Sequence, residues 1–223
     1  MSNFTTDFTA FDNVASLQRS ERLPVVFLGH GSPMNAIGDN EYRRSWQALG
    51  AEFGSKMARP KLVLCISAHW LTEGWWLTGM DKPKTIHDFG GFPDELFKVQ
   101  YPAHGSSVLA KETKELLKPI AVELDEKWGL DHGAWSVIKH LYPKADIPVI
   151  QLSIDYTMPA SYHFELAKKL SVLRHKGILI IGSGNIIHNL ELVDFKNLNK
   201  INYGYDWAIE AREKINNWLI KGD

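Results

Sequence analysis

The 223-residue sequence is poor in cysteine and has no long hydrophobic run, and each shortage excludes a class of protein. The single cysteine, Cys65, cannot form an internal disulfide, and its apolar surroundings (LVLCIS) predict a buried thiol. No run reaches the roughly 18 apolar residues that a membrane helix needs, and residues 1–12 lack the basic and apolar regions of a signal peptide. We therefore expect a cytoplasmic protein.

A charge excess of either sign is also missing. The chain carries 25 Lys and Arg against 26 Asp and Glu, a formal net charge of −1, and no basic patch interrupts the balance. Nucleic acids and anionic membranes are therefore not expected partners. No repeat, low-complexity tract or linker divides the chain, which predicts one domain over residues 1–223.

Short apolar runs alternate with helical patterns along the chain. Strands are predicted at residues 23–28, 61–67, 147–154 and 177–181, and two weaker ones at 75–80 and 120–124. Helices are predicted at residues 41–57, 106–117, 159–173 and 205–220, the first with Asp39 or Asn40 as its N-cap. This alternation is typical of an α/β layered domain with a largely parallel sheet.

Histidines follow the predicted strands, and this placement is the main functional signal. His30 comes directly after the first strand, His69 directly after the second, and His188 seven residues beyond the ILII strand. His132 lies in the sequence Asp-His-Gly just before a helical stretch. Since functional groups gather beyond the carboxyl ends of parallel strands, and imidazole suits iron and zinc, the spacing indicates a metal site. The alternative, that each histidine only caps a helix or bonds a carbonyl, stays open because no HExxH or CxxC motif is present.

Other segments are weaker candidates. His87 lies in a loop rich in Gly, Pro and aromatics, which either walls a substrate pocket or simply packs. The sequence GSGN at residues 182–185 lacks the lysine and third glycine of nucleotide-binding loops, which argues against a phosphate site. His104 is expected in a surface turn, and structural or solvated roles are expected for His140, His163 and His175.

Six motifs together resemble one family. They are LGHGSPMNAI, ISAHW, HDFGGFPDELFKVQYPAHG, LDHGAW, IPVIQLSID and GSGNIIHNL, in family order from about residue 23 to 190. They resemble the 4,5-DOPA extradiol dioxygenase family of the LigB superfamily, the class III extradiol ring-cleavage dioxygenases. The resemblance implies a three-layer α/β/α fold with a central mixed, largely parallel sheet. It also implies a non-haem metal enzyme that opens the ring of a DOPA-like catechol with O₂, using Fe(II), with Zn(II) often bound in isolated proteins.

The resemblance also assigns roles to four histidines. His30 and His69 match the two early metal ligands of the family. His188 matches a third histidine, described as a ligand or as the acid/base beside the metal, and His132 matches an active-site histidine that handles substrate or oxygen. Trp70, Phe89, Phe92 and Trp135 are candidates for the pocket wall, although ordinary core packing is the favoured explanation for each of them taken singly.

One family feature is missing from the sequence. The Pro-(Glu/Asp)-His segment that carries the last metal ligand does not occur before the chain ends at Asp223. We therefore expect weak metal binding, a preference for zinc over iron and little activity, with Asp131 or Asp155 as possible replacements for the missing carboxylate. The alternatives are a non-catalytic LigB-like binding or scaffold protein and a zinc-dependent hydrolase, and an exposed apolar face could form a homo-oligomer.

Overall fold

The computed structural model describes residues 20–197, 200 and 203–222. The chain divides into two compact units, Met1–Gly184 and Asn185–Asp223. The segment in which no signal peptide was predicted, residues 1–12, lies outside the described residues. The expectation of one domain over residues 1–223 stays a prediction.

The first unit contains a six-stranded mixed sheet. Its strands are β1 (Val25–Gly29), β2 (Leu62–Thr72), β3 (Trp75–Thr78), β4 (Val122–Asp125), β5 (Val149–Asp155) and β6 (Ile178–Gly184). Their order across the sheet is β1-β6-β2-β5-β3-β4, and all neighbours are parallel except β3 and β5. The mixed, largely parallel sheet is therefore confirmed. All six strands had been predicted, and the central ones read as continuous apolar runs because both of their faces are buried.

Helices cover the sheet, and three of them begin directly after a side chain that caps the first turn. They are α1 (Glu41–Lys56), α2 (Asp94–Phe97), α3 (Ser107–Leu116), α4 (His132–Leu141) and α5 (Ala160–Leu170). Asn40, Ser106 and Asp131 accept hydrogen bonds from the first turns of α1, α3 and α4. The helix predicted to continue to residue 173 ends at Leu170, and a 3₁₀ segment, Ser171–Lys176, follows it. The single turn of α2 was not predicted.

Alternate residues of the central strands point to opposite sides of the sheet and build two cores. On one side Val63, Val149 and Leu179 pack with Trp46 of α1 and Trp135 of α4. On the other side their chain neighbours pack with the buried residues of α3 and α5, such as Leu109 and Leu166. This arrangement is the three-layer α/β/α architecture. Cys65 is fully buried in the first core, as expected, and burial raises the pKa of its thiol.

The second unit contains one long helix, α6 (Asp206–Lys221), close to the predicted bounds of residues 205–220. Two short 3₁₀ turns precede it, Leu190–Leu192 and Phe195–Asn197. Within the described part of the chain, no helix combines the length and apolar character required to cross a membrane.

Candidate metal centre

His30 lies directly after β1, as the sequence predicted, and its ring is buried. Its Nδ1 is 3.0 Å from the hydroxyl oxygen of Ser183, on the neighbouring strand β6. The Ser183 hydroxyl donates its one hydrogen to the carbonyl of Gly133, at 2.5 Å. Since the serine oxygen can then only accept from the histidine, we assign the ring proton to Nδ1 of His30. Nε2 of His30 therefore presents a lone pair.

His69 corrects a detail of the sequence prediction, because it lies inside β2 and not after it. From Ile66 to Leu71 β2 advances five residues, whereas the paired strand β5 advances two, from Leu152 to Ile154. The extra residues form an irregular bulge, and its backbone is tied locally by a hydrogen bond from His69 N to Ser67 Oγ (3.2 Å). Bulges re-aim side chains next to active sites, and this one places His69 beside His30.

His132 is the first residue of α4, and its position depends on the buried residue before it. Asp131 has no exposed surface, and its two oxygens accept four hydrogen bonds, from Ser67 Oγ, Ala134 N, Gln151 Nε2 and Trp128 Nε1. Both oxygens of Asp131 are therefore occupied by hydrogen bonds, and those from Ser67 and Ala134 connect β2 with α4. Asp155, the other acid expected as a replacement for the missing carboxylate, accepts hydrogen bonds from the backbone N and the hydroxyl of Thr157. Neither acid belongs to the metal-type cluster found among the described residues.

Asp88 connects two of the histidines through one carboxylate. Its Oδ1 accepts from the backbone N of His132 (2.8 Å) and lies 2.9 Å from Nδ1 of the same residue, while Oδ2 is 3.3 Å from Nδ1 of His69. Burial raises the pKa of Asp88, but the hydrogen bonds from His132 and His69 outweigh it and hold that pKa well below its usual range. For His69 burial acts in the opposite direction and lowers the pKa, but the hydrogen bond and charge of Asp88 outweigh burial, so that the pKa of His69 is raised. An ionised Asp88 keeps both Nδ1 atoms as donors.

The three histidines converge on one point. Nε2 of His69 is 3.0 Å from Nε2 of His30, and the ligand atoms of His30, His69 and His132 all lie within 4.8 Å of one another. Because each Nδ1 faces Ser183 or Asp88, the Nε2 atoms are the ring nitrogens left to bind a divalent cation. Carboxylate or hydroxyl partners on the far ring nitrogen are typical of metal-binding histidines, so these residues fit a metal. No other such group occurs within the described ranges.

His188 lies in the second unit, before the 3₁₀ turn Leu190–Leu192. Its assignment as a third ligand or acid/base stays a prediction.

His87 donates a hydrogen bond through Nε2 to the carbonyl of Val99 (2.9 Å), and this bond holds its loop in place.

The aromatic candidates divide between wall and core. The Phe89 ring stands edge-on to His132, with centroids 5.4 Å apart, and Phe92 packs against Phe89 (5.4 Å). Trp135 is fully buried and donates to the carbonyl of Ile86 (2.7 Å), which makes it a core residue. Trp70 is also buried and stacks on Trp128 at 5.7 Å.

Sequence reasoning missed Asp88 and Ser183 as partners of the site. Asp88 directly follows His87 in the sequence, and a carboxylate beside a glycine-rich turn was the available signal. Ser183 had been considered only as part of a phosphate loop. Its hydrogen bonds to His30 and Gly133 show that it orients a histidine.

The fold and the cluster together define a class: an α/β protein with three clustered histidines, suited to bind a metal, at the carboxyl ends of its parallel strands. Residues 24–221 match the family model described as the catalytic LigB subunit of aromatic ring-opening dioxygenase. The chain therefore belongs to the LigB family of extradiol ring-cleaving dioxygenases.

Individual relatives agree with this assignment. The chain is 49% identical over 200 residues to a 4,5-DOPA dioxygenase extradiol of Escherichia coli K12, covering 89% of this chain and 71% of that protein. It is 41% identical over 169 residues to the protein of the same name from Beta vulgaris, covering 73% and 61%. The crystal structure of an uncharacterized Escherichia coli K12 protein superposes with a TM-score of 0.73 at 44% identity, covering 89% and 73%.

Proposed function

We propose that this chain opens the aromatic ring of a catechol, DOPA or a close analogue, with O₂ at a metal held by His30 and His69. The observation that carries the proposal is the convergence of the ligand nitrogens of His30, His69 and His132, whose rings contact Ser183 and Asp88 on the far side. The naming of the E. coli and Beta vulgaris relatives supports the substrate class. A cytoplasmic location and a homo-oligomer remain predictions.

The metal proposed for turnover is Fe(II), which, when bound, would supply open positions for the two catechol oxygens and for O₂. His188 is proposed as the third ligand or as the acid/base beside it. The described cluster contributes neutral imidazoles and no carboxylate, so we expect the isolated chain to hold zinc more readily than iron.

His132 is proposed to move protons at the site. Its second ring nitrogen can take a proton from a catechol hydroxyl, the general-base role that histidine most often has in enzymes. Asp88, bonded to Nδ1, would stabilise the imidazolium that forms. Phe89 packs against the same ring and would restrict its rotation.

A second role for His132 is favoured by one observation. Its ligand nitrogen lies within 4.8 Å of those of His30 and His69, which is close enough for all three to bind one ion. Metal affinity of the His132→Ala variant separates the roles. A proton-transfer residue can be removed with the metal retained, whereas removal of a ligand lowers affinity together with turnover.

The experiment that tests the function loads the purified chain with Fe(II) without oxygen, then adds DOPA and air. We expect O₂ consumption and a yellow ring-opened product, both abolished in His69→Ala and retained in His175→Ala, a histidine outside the cluster. Bound metal without O₂ consumption on any catechol would contradict the proposal. Absence of metal binding would favour the scaffold alternative, and tight zinc with hydrolysis would favour the hydrolase.

A further inference from the structure

A cavity of about 400 Å³ lies at the other end of α4 from the metal centre. Its lining comes from the segment after β1, from α1, from the loop before α3 and from the last turn of α4. Lys139, which lines it, follows His132 by seven residues, about 10 Å along the helix. The cavity is therefore separate from the histidine cluster.

Two cationic side chains face this cavity, and no lining residue carries a carboxyl group. Lys139 Nζ donates to the carbonyl of Ala36 (3.1 Å), and Arg43 Nη1 donates to the carbonyl of Ile37 (3.4 Å). Across the described residues, no carboxylate pairs with either cation. The adjacent Arg44, by contrast, pairs with Asp39 at 2.8 Å. Ammonium and guanidinium have three and five N–H donors, so most of theirs are left for a ligand.

The surroundings of Lys139 are unfavourable for a cation without an anion. Its side chain is half-buried, and this burial, followed by the charge of Arg43, lowers its pKa. His140 beside it donates through Nε2 to the carbonyl of Asn35 (3.1 Å). Burial and the charge of Lys139 lower the pKa of His140 to about 4, so it is neutral near pH 7. The net charge facing the cavity is positive.

We propose that this cavity is a second ligand site that binds a small oxyanion, a phosphate or carboxylate group, between Arg43 and Lys139. A planar guanidinium suits two oxygens of such a group, and the lysine supplies a point charge. The side-chain amides of Gln47 and Gln100, also in the lining, offer further donors. The ligand would neutralise two like charges that the fold itself leaves unpaired.

Calorimetric titration of the intact chain with inorganic phosphate, at constant ionic strength set with chloride, tests the site. We expect saturable one-to-one binding that weakens about tenfold or more in Arg43→Gln, since a charge-assisted contact is lost. Lys139→Gln removes the other charge and is expected to weaken binding as well. Lys139→Arg keeps the charge and is expected to retain binding, which separates loss of the charge from a folding defect. A parallel titration with malonate shows whether carboxylates are accepted as well as phosphate.

Two control variants distinguish binding in the cavity from binding elsewhere on the chain. Arg44→Gln removes the same charge one residue away, from a side chain paired with Asp39, and is expected to bind phosphate like the parent. His69→Ala tests whether phosphate goes to the histidine cluster, and is expected to bind normally. Equal weakening in Arg43→Gln and Arg44→Gln, loss of binding in His69→Ala, or no saturable binding of either anion would overturn the proposal.

Discussion

Asp88 is the residue on which the histidine geometry depends most. One carboxylate accepts from Nδ1 of His132 and lies beside Nδ1 of His69, and so sets the lone pair on Nε2 of both. An amide in its place would present a donor to one of these rings and favour the opposite tautomer. Ser183 likewise sets the tautomer of His30, because its hydroxyl donates to the carbonyl of Gly133 and can only accept from Nδ1 of His30.

The Asp88→Asn variant is therefore expected to fold but to bind zinc about 10- to 100-fold more weakly, the usual loss when such an outer partner is removed. Zinc affinity from competition with a chelator measures this, with circular dichroism as the check on folding. Asp94→Asn, an exposed acid in α2, is the matched control and should bind like the parent. Unchanged zinc affinity in Asp88→Asn would show that Asp88 does not orient the ligands.

At the scale of elements, the site depends on how closely α4 approaches the bulged part of β2. Gly133 is the contact point: a Cβ there would overlap Ser67 Oγ and lie 2.9 Å from Cδ2 of His69. The bulge in β2 and the N-terminus of α4 are thus packed against each other with no room for a side chain. This contact fixes His69 relative to His132.

Gly133→Ala is expected to destabilise the fold by about 1–3 kcal/mol, the typical cost of overpacking, and to weaken metal binding because His69 must move. Gly54→Ala is the control, since Gly54 also lies in a helix, α1, and its added Cβ would meet no atom within 4 Å. That change should be neutral or stabilise by up to about 1 kcal/mol. The free energies of unfolding of both variants, measured with denaturant, test this prediction. Equal free energies for Gly133→Ala and Gly54→Ala would contradict the close packing at Gly133.

For the whole molecule, stability should depend on pH through buried groups such as His140, which is 6% exposed and stacks on Trp46. Its pKa in the folded state is about 4, below the 6.5 of an unperturbed histidine, because burial and Lys139 oppose its charge. The unfolded state therefore binds more protons between these values. The contribution of neutral His140 is complete above pH 6.5 and is lost as the pH falls towards 4.

The measurement is the free energy of unfolding from pH 7 to pH 4, for the parent and for His140→Gln. We expect the parent to lose stability more steeply across this window, by at most about 1.4 kcal/mol per pH unit relative to the variant. His175→Gln, a change outside the core, should follow the parent. Parallel pH curves for the parent and His140→Gln would show that His140 is accessible to protons in the folded state.

The sequence predicted those parts of the fold and the site whose signals are local in the chain. Apolar runs and the residues that begin helices are local signals, so all six strands and the starts of α1, α3 and α5 were predicted closely. The continuation of β2 through His69 was not, because a bulge depends on pairing with β5 and leaves no local pattern. Asp88 was missed for the same reason: its two partners, His69 and His132, are distant in sequence.

The central claim is that Nε2 atoms of His30 and His69 bind one metal ion beside His132. The most direct measurement is an anomalous difference map from crystals of the chain grown with zinc. We predict one strong peak about 2.0–2.1 Å from Nε2 of both His30 and His69, with Ser183 and Asp88 still bonded to the Nδ1 atoms. A peak bound through Nδ1, or no peak between these two rings while zinc occupies another site, would contradict the account.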